Sequence, residues 1–298
     1  MTDDGTTTPP AKKPRRRLLW WALGGLVLLL VGNALFSDLD MPGEDRIGLV
    51  RVEGVILDSK DTVSELKRFG DSSSIKAIVL RIDSPGGGVV PSQEIHDAVQ
   101  RVRTKQNKTV VASMGTVAAS GGYYIAAAAD RIVANPGTLT GSIGVIMEMV
   151  NLEGLLHKVG VEGVVIKSGR YKDVGSPFRK MNPEERRILQ SVMDDVHEQF
   201  IEAVAEGRSL GVKDVRPLAD GRIFTGRQAV DAKLVDELGD LDDAIRIAAE
   251  MVGIEGEPAV VNPKKRFSIR DIIDSSVQGL LPKLDMRPGI QLKYLMAF

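Results

Sequence analysis

Apolar runs of strand length that alternate with helical patterns place the strongest constraint on the fold of this chain. The run AIVLRID at 77–83 is almost continuously apolar, and TVVASM at 109–114 is similar. Strands that are buried on both faces of a parallel sheet have this composition. Helical patterns at 61–69 and at about 92–103 precede and follow the first of these runs. Four apolar side chains lie on one side of the second helical pattern: Ile95, Ala98, Val99 and Val102. The alternation predicts an α/β domain with a parallel sheet and right-handed crossovers.

The same reasoning extends along the rest of the chain. Further strands are predicted at 47–56, 131–136 and 144–151, and a helix within 115–129. A long helix is predicted from Asn182-Pro183 to about Gly207, because Pro and acidic residues favour a helix N-terminus. Two shorter helices are predicted at 226–233 and 241–251. No repeat or boundary interrupts this pattern, so we expect one domain at 47–260 and a C-terminal extension at 261–298.

The N-terminal region has a different character. Residues 18–36 form an uncharged apolar run that would reach about 28 Å as a helix, close to the thickness of a bilayer core. Five basic residues lie within 12–17, and Trp20 and Trp21 begin the run. We therefore expect a disordered basic cytoplasmic tail at 1–17, a transmembrane anchor at 18–36 and a linker at 37–46. A cleaved signal peptide and a buried core helix are the alternatives.

The positive-inside rule gives this anchor an orientation. Cationic flanks remain in the cytoplasm, so the N-terminus is expected inside and everything after residue 36 outside. The sequence thus predicts a single-pass protein of the cytoplasmic (inner) membrane, with its domain on the extracytoplasmic side.

Composition excludes several kinds of chemistry. The chain has no cysteine, which excludes thiol catalysis, thiolate zinc sites and iron–sulfur clusters. Its histidines are three, His96, His157 and His197, so a histidine-rich metal site is not expected. A net charge of −1 and 4% aromatic residues argue against nucleic acid as a partner. No cofactor and no metal site is predicted.

A glycine-rich turn follows the first buried strand. Ser84-Pro85 leads into three successive glycines, Gly86, Gly87 and Gly88. Such glycines expose backbone N–H groups that can bind a phosphate or a developing oxyanion. The turn lacks the residues of a P-loop or of a dinucleotide-binding turn. A tight structural turn between strand and helix is the alternative.

A second turn places a serine among small residues. Ser120 lies in the segment Gly-Thr-Val-Ala-Ala-Ser-Gly-Gly-Tyr-Tyr, which opens a helical pattern. A serine there can attack a carbonyl while the N–H group of Gly121 holds the oxyanion. A helix N-cap is the alternative.

A nucleophilic serine needs a base. The three histidines lie within helical patterns, and no G-x-S-x-G elbow occurs. A lysine that is shielded from water can lose its proton near neutral pH and act as a base. Lys172 lies in a Gly/Ser-rich loop before the long helix, although most lysines are solvated surface charges.

Four motifs together carry a family resemblance. They are Asp83-Ser-Pro-Gly-Gly-Gly, the segment around Ser120, Leu-Thr-Gly-Ser142-Ile-Gly-Val and Ser168-Gly-Arg-Tyr-Lys172-Asp-Val. In this order, over about 47–255, they resemble peptidase family S49 in its short, single-repeat bacterial form, the signal peptide peptidase A type. The related Clp protease and crotonase folds share only the first two motifs. The resemblance implies a Clp/crotonase-like core of repeated ββα units.

The resemblance also implies roles for individual residues. Ser120 matches the nucleophile, Lys172 the general base and Ser142 a hydroxyl that orients the lysine. Gly87 and Gly121 match the oxyanion donors. The family further implies a homo-oligomer of eight copies, with each dyad shared between neighbouring copies, and hydrophobic peptide substrates such as cleaved signal peptides. The sequence by itself permits a dyad within one copy as well.

Three other functions remain open at this point. A crotonase-like acyl-CoA hydratase or isomerase would use a similar oxyanion site but not Ser120 or Lys172. A non-catalytic membrane scaffold would retain only the fold. A phosphate-binding protein is disfavoured because no Lys-Ser/Thr pair follows the first glycine turn.

Overall fold

The structure is a computed structural model that describes Gly25, residues 45–263 and residues 293–296. The predicted tail, the predicted anchor at 18–36 apart from Gly25, and most of the C-terminal extension lie outside the described residues. Within the described part of the chain, no helix is both long enough and apolar enough to cross a membrane.

Ten strands are described, and eight of them form one mixed sheet. The strands are β1 (Arg46–Glu53), β2 (Ile75–Ser84), β3 (Gly86–Gly88), β4 (Thr109–Ala119), β5 (Arg131–Ala134), β6 (Leu139–Gly141), β7 (Ile223–Thr225), β8 (Glu237–Leu238), β9 (Ala259–Val261) and β10 (Lys293–Leu295). The main path of the large sheet runs β7-β6-β4-β2-β1-β9, and β5 pairs with both β4 and β8. Strands β3 and β10 form a separate two-stranded sheet.

Eight helices accompany these strands in the described residues. They are α1 (Lys60–Asp71), α2 (Val89–Thr104), α3 (Gly121–Ala126), α4 (Glu153–Lys158), α5 (Pro183–Gly207), α6 (Val212–Val215), α7 (Gly226–Asp231) and α8 (Leu241–Met251). A 3₁₀ turn at Arg216–Leu218 follows α6.

The central strands are buried on both faces, as their apolar runs predicted. In β2, Ile78, Leu80 and Ile82 belong to the larger core, while Ala77 and Val79 belong to the smaller one. The larger core lies under helices α1, α2, α3 and α5, and the smaller core lies under α8. Because successive residues point to opposite faces of a strand, an almost continuous apolar run serves two cores at once.

Most of the predicted elements are confirmed, including the long helix and the apolar side of α2. The strand predicted at 144–151 is wrong. That segment is irregular apart from an isolated bridge between Ile146 and Lys293, and the strand lies earlier, as β6. The apolar residues of 144–151 misled the prediction because several face a cavity and the surface rather than a sheet. The sheet is also not wholly parallel, since β7 runs antiparallel to β6.

Candidate active site

Ser120 lies between β4 and α3 in an unusual backbone conformation. Its φ is 52° and its ψ is −117°, a region that non-glycine residues seldom adopt. The side chain is fully buried, and its Oγ has no hydrogen-bond partner among the described residues. Strained backbone and unpartnered buried polar groups concentrate at functional sites. The turn therefore presents a hydroxyl that the fold does not use for its own stability.

Neighbouring strands impose this conformation. Strands β4 and β6 are parallel, with Ala119 opposite Gly141, and the Ser120 N–H donates to the Gly141 carbonyl at 2.8 Å. Four residues further, the Tyr124 N–H donates to the Ser120 carbonyl at 2.8 Å and closes the first turn of the helix. Ser120 is thus fixed on one side by a strand and on the other by a helical turn.

A bulge between β2 and β4 sets where the serine turn begins. Ile82 lies opposite Met114, but Ser84 lies opposite Ala118, so β4 contains extra residues. The Asp83 carboxylate accepts a hydrogen bond from the Val117 N–H at 3.1 Å within this bulge. The motif alone gives Asp83 no separate role, and this contact identifies it as the side chain that holds the bulge.

The glycine turn is closely packed against Ile56. The Gly88 N–H donates to the Ile56 carbonyl at 2.8 Å, and the Ile56 N–H donates to the Gly86 carbonyl at 2.9 Å. A Cβ atom on Gly87 would lie 2.1 Å from the Ile56 carbonyl oxygen, so no other residue fits there without a backbone shift. Gly86 has a φ of 100°, which also favours glycine.

The two glycine turns meet beside the serine. A Cβ on Gly121 would lie 3.2 Å from the Gly87 nitrogen and 2.5 Å from Ser92 Oγ. A Cβ on Gly86 would lie 2.7 Å from the Gly121 nitrogen. The predicted oxyanion donors Gly87 and Gly121 are therefore close neighbours in space. Because α3 has only six residues, its first N–H groups matter more here than a helix dipole.

A short C-terminal strand pairs with the first glycine turn. Strand β10 runs antiparallel to β3 with Tyr294 opposite Gly87, and the Met296 N–H donates to the Pro85 carbonyl at 2.9 Å. On its other side, the Ile146 N–H donates to the Lys293 carbonyl at 3.1 Å. The groove next to Ser120 therefore accommodates an extended peptide backbone.

An aromatic pocket receives the side chain of this strand. Tyr294 is buried, and its ring centroid lies 5.2 Å from Tyr124 and 4.7 Å from Phe200. Its hydroxyl donates to the Val196 carbonyl at 3.1 Å. Burial raises the pKa of the Tyr294 phenol well above its usual value. Sequence analysis missed this pocket, because its walls come from α3 and α5, which are far apart along the chain.

The histidines do not serve Ser120. His96 is buried in α2 with its ring centroid 4.8 Å from Tyr124, and burial lowers the pKa of its imidazole. His157 and His197 lie in α4 and α5, as expected. Since Ser120 Oγ has no hydrogen-bond partner within the described residues, no imidazole there is placed as its base.

Ser142 lies next to Ser120 because their strands are neighbours. It directly follows β6, has a φ of 50° and is buried, and its N–H donates to the Arg222 carbonyl at 2.8 Å. It also lines a cavity of about 550 Å³ together with Met147, His197 and Met296. The structure thus brings together Ser120, Ser142, Gly87 and Gly121.

Within one copy of the chain, no described contact links Lys172 to Ser120 or Ser142. Lys172 is exposed in a turn at 171–175, and its N–H donates to the Gly169 carbonyl at 3.2 Å. No hydrogen bond joins it to Ser120 or Ser142 among the described residues. A complete serine–lysine pair is therefore absent from the described part of a single copy.

Two family models match this sequence. The model of peptidase family S49 matches residues 102–255, which include Ser120, Ser142 and Lys172. The Clp protease model matches residues 55–137, which include both glycine turns and Ser120. The second match agrees with the Clp-like core expected from the sequence.

Individual relatives agree with these matches. A putative protease of Synechocystis is 47% identical over 251 residues, covering 83% of this chain and 90% of the relative. A putative signal peptide peptidase SppA of Enterococcus faecium is 37% identical, over 67% of this chain and 62% of its own length. Protease 4 of Haemophilus influenzae is 32% identical over 83% of this chain, but this region is only 41% of that longer protein.

Proposed function

The chain belongs to peptidase family S49 and is a serine peptidase, and we propose that it is a membrane-anchored endopeptidase with a Ser120–Lys172 dyad. Its substrates in this proposal are hydrophobic peptides such as cleaved signal peptides. The family match confirms the peptidase predicted from the motifs. It argues against the three alternatives, which are an acyl-CoA hydratase or isomerase, a non-catalytic scaffold and a phosphate-binding protein.

One observation carries the dyad and its substrate class. The buried, unpartnered Ser120 hydroxyl lies beside a glycine turn that pairs with an extended strand. A peptide bound in the same way would present its backbone to the serine through strand pairing. The aromatic pocket formed by Tyr124 and Phe200 supports a preference for large apolar side chains.

The proposed dyad implies the following chemical steps. Neutral Lys172 removes the proton from the Ser120 hydroxyl as its oxygen attacks the peptide carbonyl carbon. The N–H groups of Gly87 and Gly121 stabilise the resulting oxyanion, and Ser142 orients the lysine. The tetrahedral intermediate then collapses: the C–N bond breaks and the lysine returns its proton to the amine. Water, deprotonated by the same lysine, hydrolyses the acyl-enzyme and restores both residues.

The lysine in this mechanism comes from a neighbouring copy of the chain. Lys172 is exposed, and the Ser120 hydroxyl lacks a partner in the described part of one copy. The segment between Ser142 and α5 also exposes apolar side chains, including Val164 at 85% and Ile166 at 97% of their full accessibility. Large apolar groups exposed in one region are typical of association surfaces. A homo-oligomer, eight copies in the form that the resemblance implies, would cover them.

The predicted anchor at 18–36 places this assembly at the cytoplasmic membrane. Its basic flank keeps the N-terminus inside and the peptidase domain on the extracytoplasmic side. Signal peptides are released at this membrane, so the location suits the substrate class.

A fluorophosphonate probe tests the dyad. We expect the detergent-solubilised wild-type protein to be labelled on Ser120, as mapped by peptide mass spectrometry. Labelling should be lost in Ser120→Ala and reduced at least 100-fold in rate in Lys172→Ala, because proton transfer to a positioned base contributes about 10²–10⁴-fold. Lys213→Ala, at a lysine in α6, is the matched control and should label at the wild-type rate. Wild-type labelling rates in Lys172→Ala would contradict the dyad.

A further inference from the structure

The loop that carries Lys172 has little regular structure of its own. Between Ser142 and α5, the helix α4 is the one regular element among the described residues. Around the lysine, backbone hydrogen bonds are confined to local turns, such as Lys172 N–H to Gly169 O at 3.2 Å and Val174 N–H to Tyr171 O at 3.2 Å. A general base must be held to within a fraction of an ångström. Side chains must therefore supply the missing constraint.

A series of ion pairs connects this loop to the start of α5. Asp173, the residue after Lys172, accepts from Lys167 Nζ at 2.6 Å and from Arg179 Nε at 2.8 Å. Arg179 then donates to both Glu185 oxygens, at 2.5 and 2.9 Å. The alternating charges of these four residues sum to zero.

Glu185, the last residue in this series of ion pairs, lies in the capped first turn of α5. Asn182 caps α5, and its side chain accepts from the N–H groups of Glu184 and Glu185 at 3.0 and 2.9 Å. In turn, the Glu185 carboxylate accepts a hydrogen bond from the Asn182 N–H at 3.0 Å. This capping box fixes the first helical turn, so Arg179 connects the loop to a defined point.

The two carboxylates in this series of ion pairs are buried, so each needs a charged partner. The side chains of Asp173 and Glu185 are only 10% and 2% exposed. Buried carboxylates are costly unless they are paired and hydrogen-bonded. The guanidinium of Arg179 lowers the pKa of both carboxyl groups, that of Glu185 to about 2, so both stay charged. Removing Arg179 would leave two buried carboxylates without their shared partner.

A second connection lies on the other side of Lys172. Arg170 donates to Glu184 at 2.5 Å, and the Tyr171 hydroxyl donates to the same carboxylate. The residues immediately before and after the lysine are thus each tied to the first turn of α5. Lys172 itself takes no part in these pairs in the described chain, which leaves its amine available.

We propose that Arg179 is a positioning residue that holds the Lys172 loop on the first turn of α5 through Asp173 and Glu185. It acts on the reaction through Lys172 and touches neither the serine nor the substrate groove in this structure. The role rests on the proposed function of Lys172 as the general base. Its consequence is that the base is aligned by the helix end and not by the turn in which it lies.

The test compares Arg179→Met with a matched control. Arg216, in the 3₁₀ turn after α6, pairs with Glu198 of α5 through two hydrogen bonds of 2.6 and 2.8 Å, outside the Lys172 loop. Arg216→Met therefore also removes a two-bond arginine–glutamate pair to α5, although this pair is more exposed than that of Arg179. Each full-length variant is assayed in detergent with a fluorogenic hydrophobic peptide, and its active sites are counted by endpoint labelling with a fluorophosphonate.

We expect Arg179→Met to lower kcat per labelled site by about 10–100-fold, because misplacing a catalytic group by about 1 Å has an effect of this size. The KM should stay within about twofold, since the substrate groove is unchanged. The initial rate of phosphonate labelling should fall by the same factor as kcat. Arg179→Lys, which keeps one charge without the paired hydrogen bonds, should restore part of the rate. Arg216→Met should match the wild type.

A purely structural role for Arg179 predicts a different result. The number of labelled sites would then fall while the rate per site stayed constant, and this outcome would overturn the inference. If Arg179→Met does not fold, Asp173→Asn replaces it, with the same expected fall in rate per site and the same overturning result. Failure of the dyad is distinguishable: Lys172→Ala would then retain the wild-type rate, and the inference would fall with it.

Discussion

At the residue scale, Ser120 combines two features that oppose stability. A positive φ in a non-glycine residue costs about 1–3 kcal/mol, and a buried hydroxyl without a partner costs about 1–3 kcal/mol. Strand pairing to Gly141 and the packing of α3 impose both features. A residue kept under such conditions indicates selection for reactivity over stability.

Replacing this serine separates stability from activity. We expect Ser120→Ala to abolish peptide hydrolysis while its free energy of unfolding equals or exceeds that of the wild type by about 1 kcal/mol, since an unpartnered hydroxyl is removed. Urea unfolding followed by circular dichroism measures the stability, and a fluorogenic peptide measures the activity. A variant destabilised by several kcal/mol would show that the hydroxyl has a structural partner.

Gly87 provides a second prediction at this scale. A Cβ there would lie 2.1 Å from the Ile56 carbonyl oxygen, so Gly87→Ala must move the backbone of the glycine turn. We expect kcat to fall by about 10²–10³-fold, the loss found when one oxyanion donor is removed. Gly137→Ala is the control, because a Cβ on Gly137 has no neighbour within 4 Å. Equal activities in the two variants would contradict the assignment of Gly87.

At the scale of elements, β10 occupies the edge of β3 on which the proposed function places the substrate. It pairs with β3 and packs Tyr294 against both Tyr124 and Phe200. A single edge of β3 cannot pair with two strands at the same time. In the proposed mode of binding, the C-terminal strand and a peptide substrate therefore compete for one position.

Removing this strand should open the groove. We expect deletion of residues 291–298 to lower the KM for a hydrophobic peptide severalfold with little change in kcat, because a competing segment of the chain is lost. Tyr294→Ala is the milder variant, which weakens the strand without shortening the chain. Steady-state kinetics on both variants measures the effect, and an unchanged KM in both would show that β10 does not compete with the substrate.

The start of α5 is an element whose stability depends on pH. Arg179 lowers the pKa of Glu185 from 4.5 to about 2 in the folded protein. A lowered carboxyl pKa contributes stability above the unfolded pKa, and this stability is lost as pH falls toward the folded value. We expect Glu185→Gln to be less stable than the wild type at pH 7. Their difference should shrink between pH 4.5 and 2, as measured by thermal unfolding. A pH-independent difference would contradict the charged pair.

At the scale of the whole molecule, the groups of the proposed mechanism are divided between two regions. Gly87 lies within β3, Ser120 follows β4 and Gly121 begins α3, all of them buried, while Lys172 lies in an exposed loop beyond Ser142. In the proposed mechanism, Ser120 and Lys172 come together only when copies of the chain associate.

Mixed oligomers test this arrangement. Ser120→Ala and Lys172→Ala copies are each expected to be inactive. After equal amounts are unfolded and reassembled together, about a quarter of the sites should regain activity, since half of the serine positions and half of the lysine positions are intact at each junction. Each variant reassembled alone is the control. No recovery in a properly mixed oligomer, verified by co-purification of the two variants through different affinity tags, would place the dyad within one copy.

The sequence by itself determined the α/β class, most of the strands and helices, and the peptidase family. Buried strands such as 77–83 were predictable because two-sided burial leaves an almost continuous apolar run. Helix α5 was predictable because Asn182 and Pro183 are strong local N-terminal signals. The roles of Ser120, Gly87 and Lys172 stay predictions, which rest on the resemblance of their motifs to the family.

Tertiary structure alone decided what lies next to these residues. The strand predicted at 144–151 failed because an apolar segment can face a cavity or an association surface as well as a sheet. The aromatic pocket, the pairing of β10 with the glycine turn and the link from Arg179 to Glu185 all join segments that are separated along the chain or lack a local signal. Local preference fixes a residue's backbone, but contact across the fold depends on how whole elements pack, and this packing is a property of the complete chain.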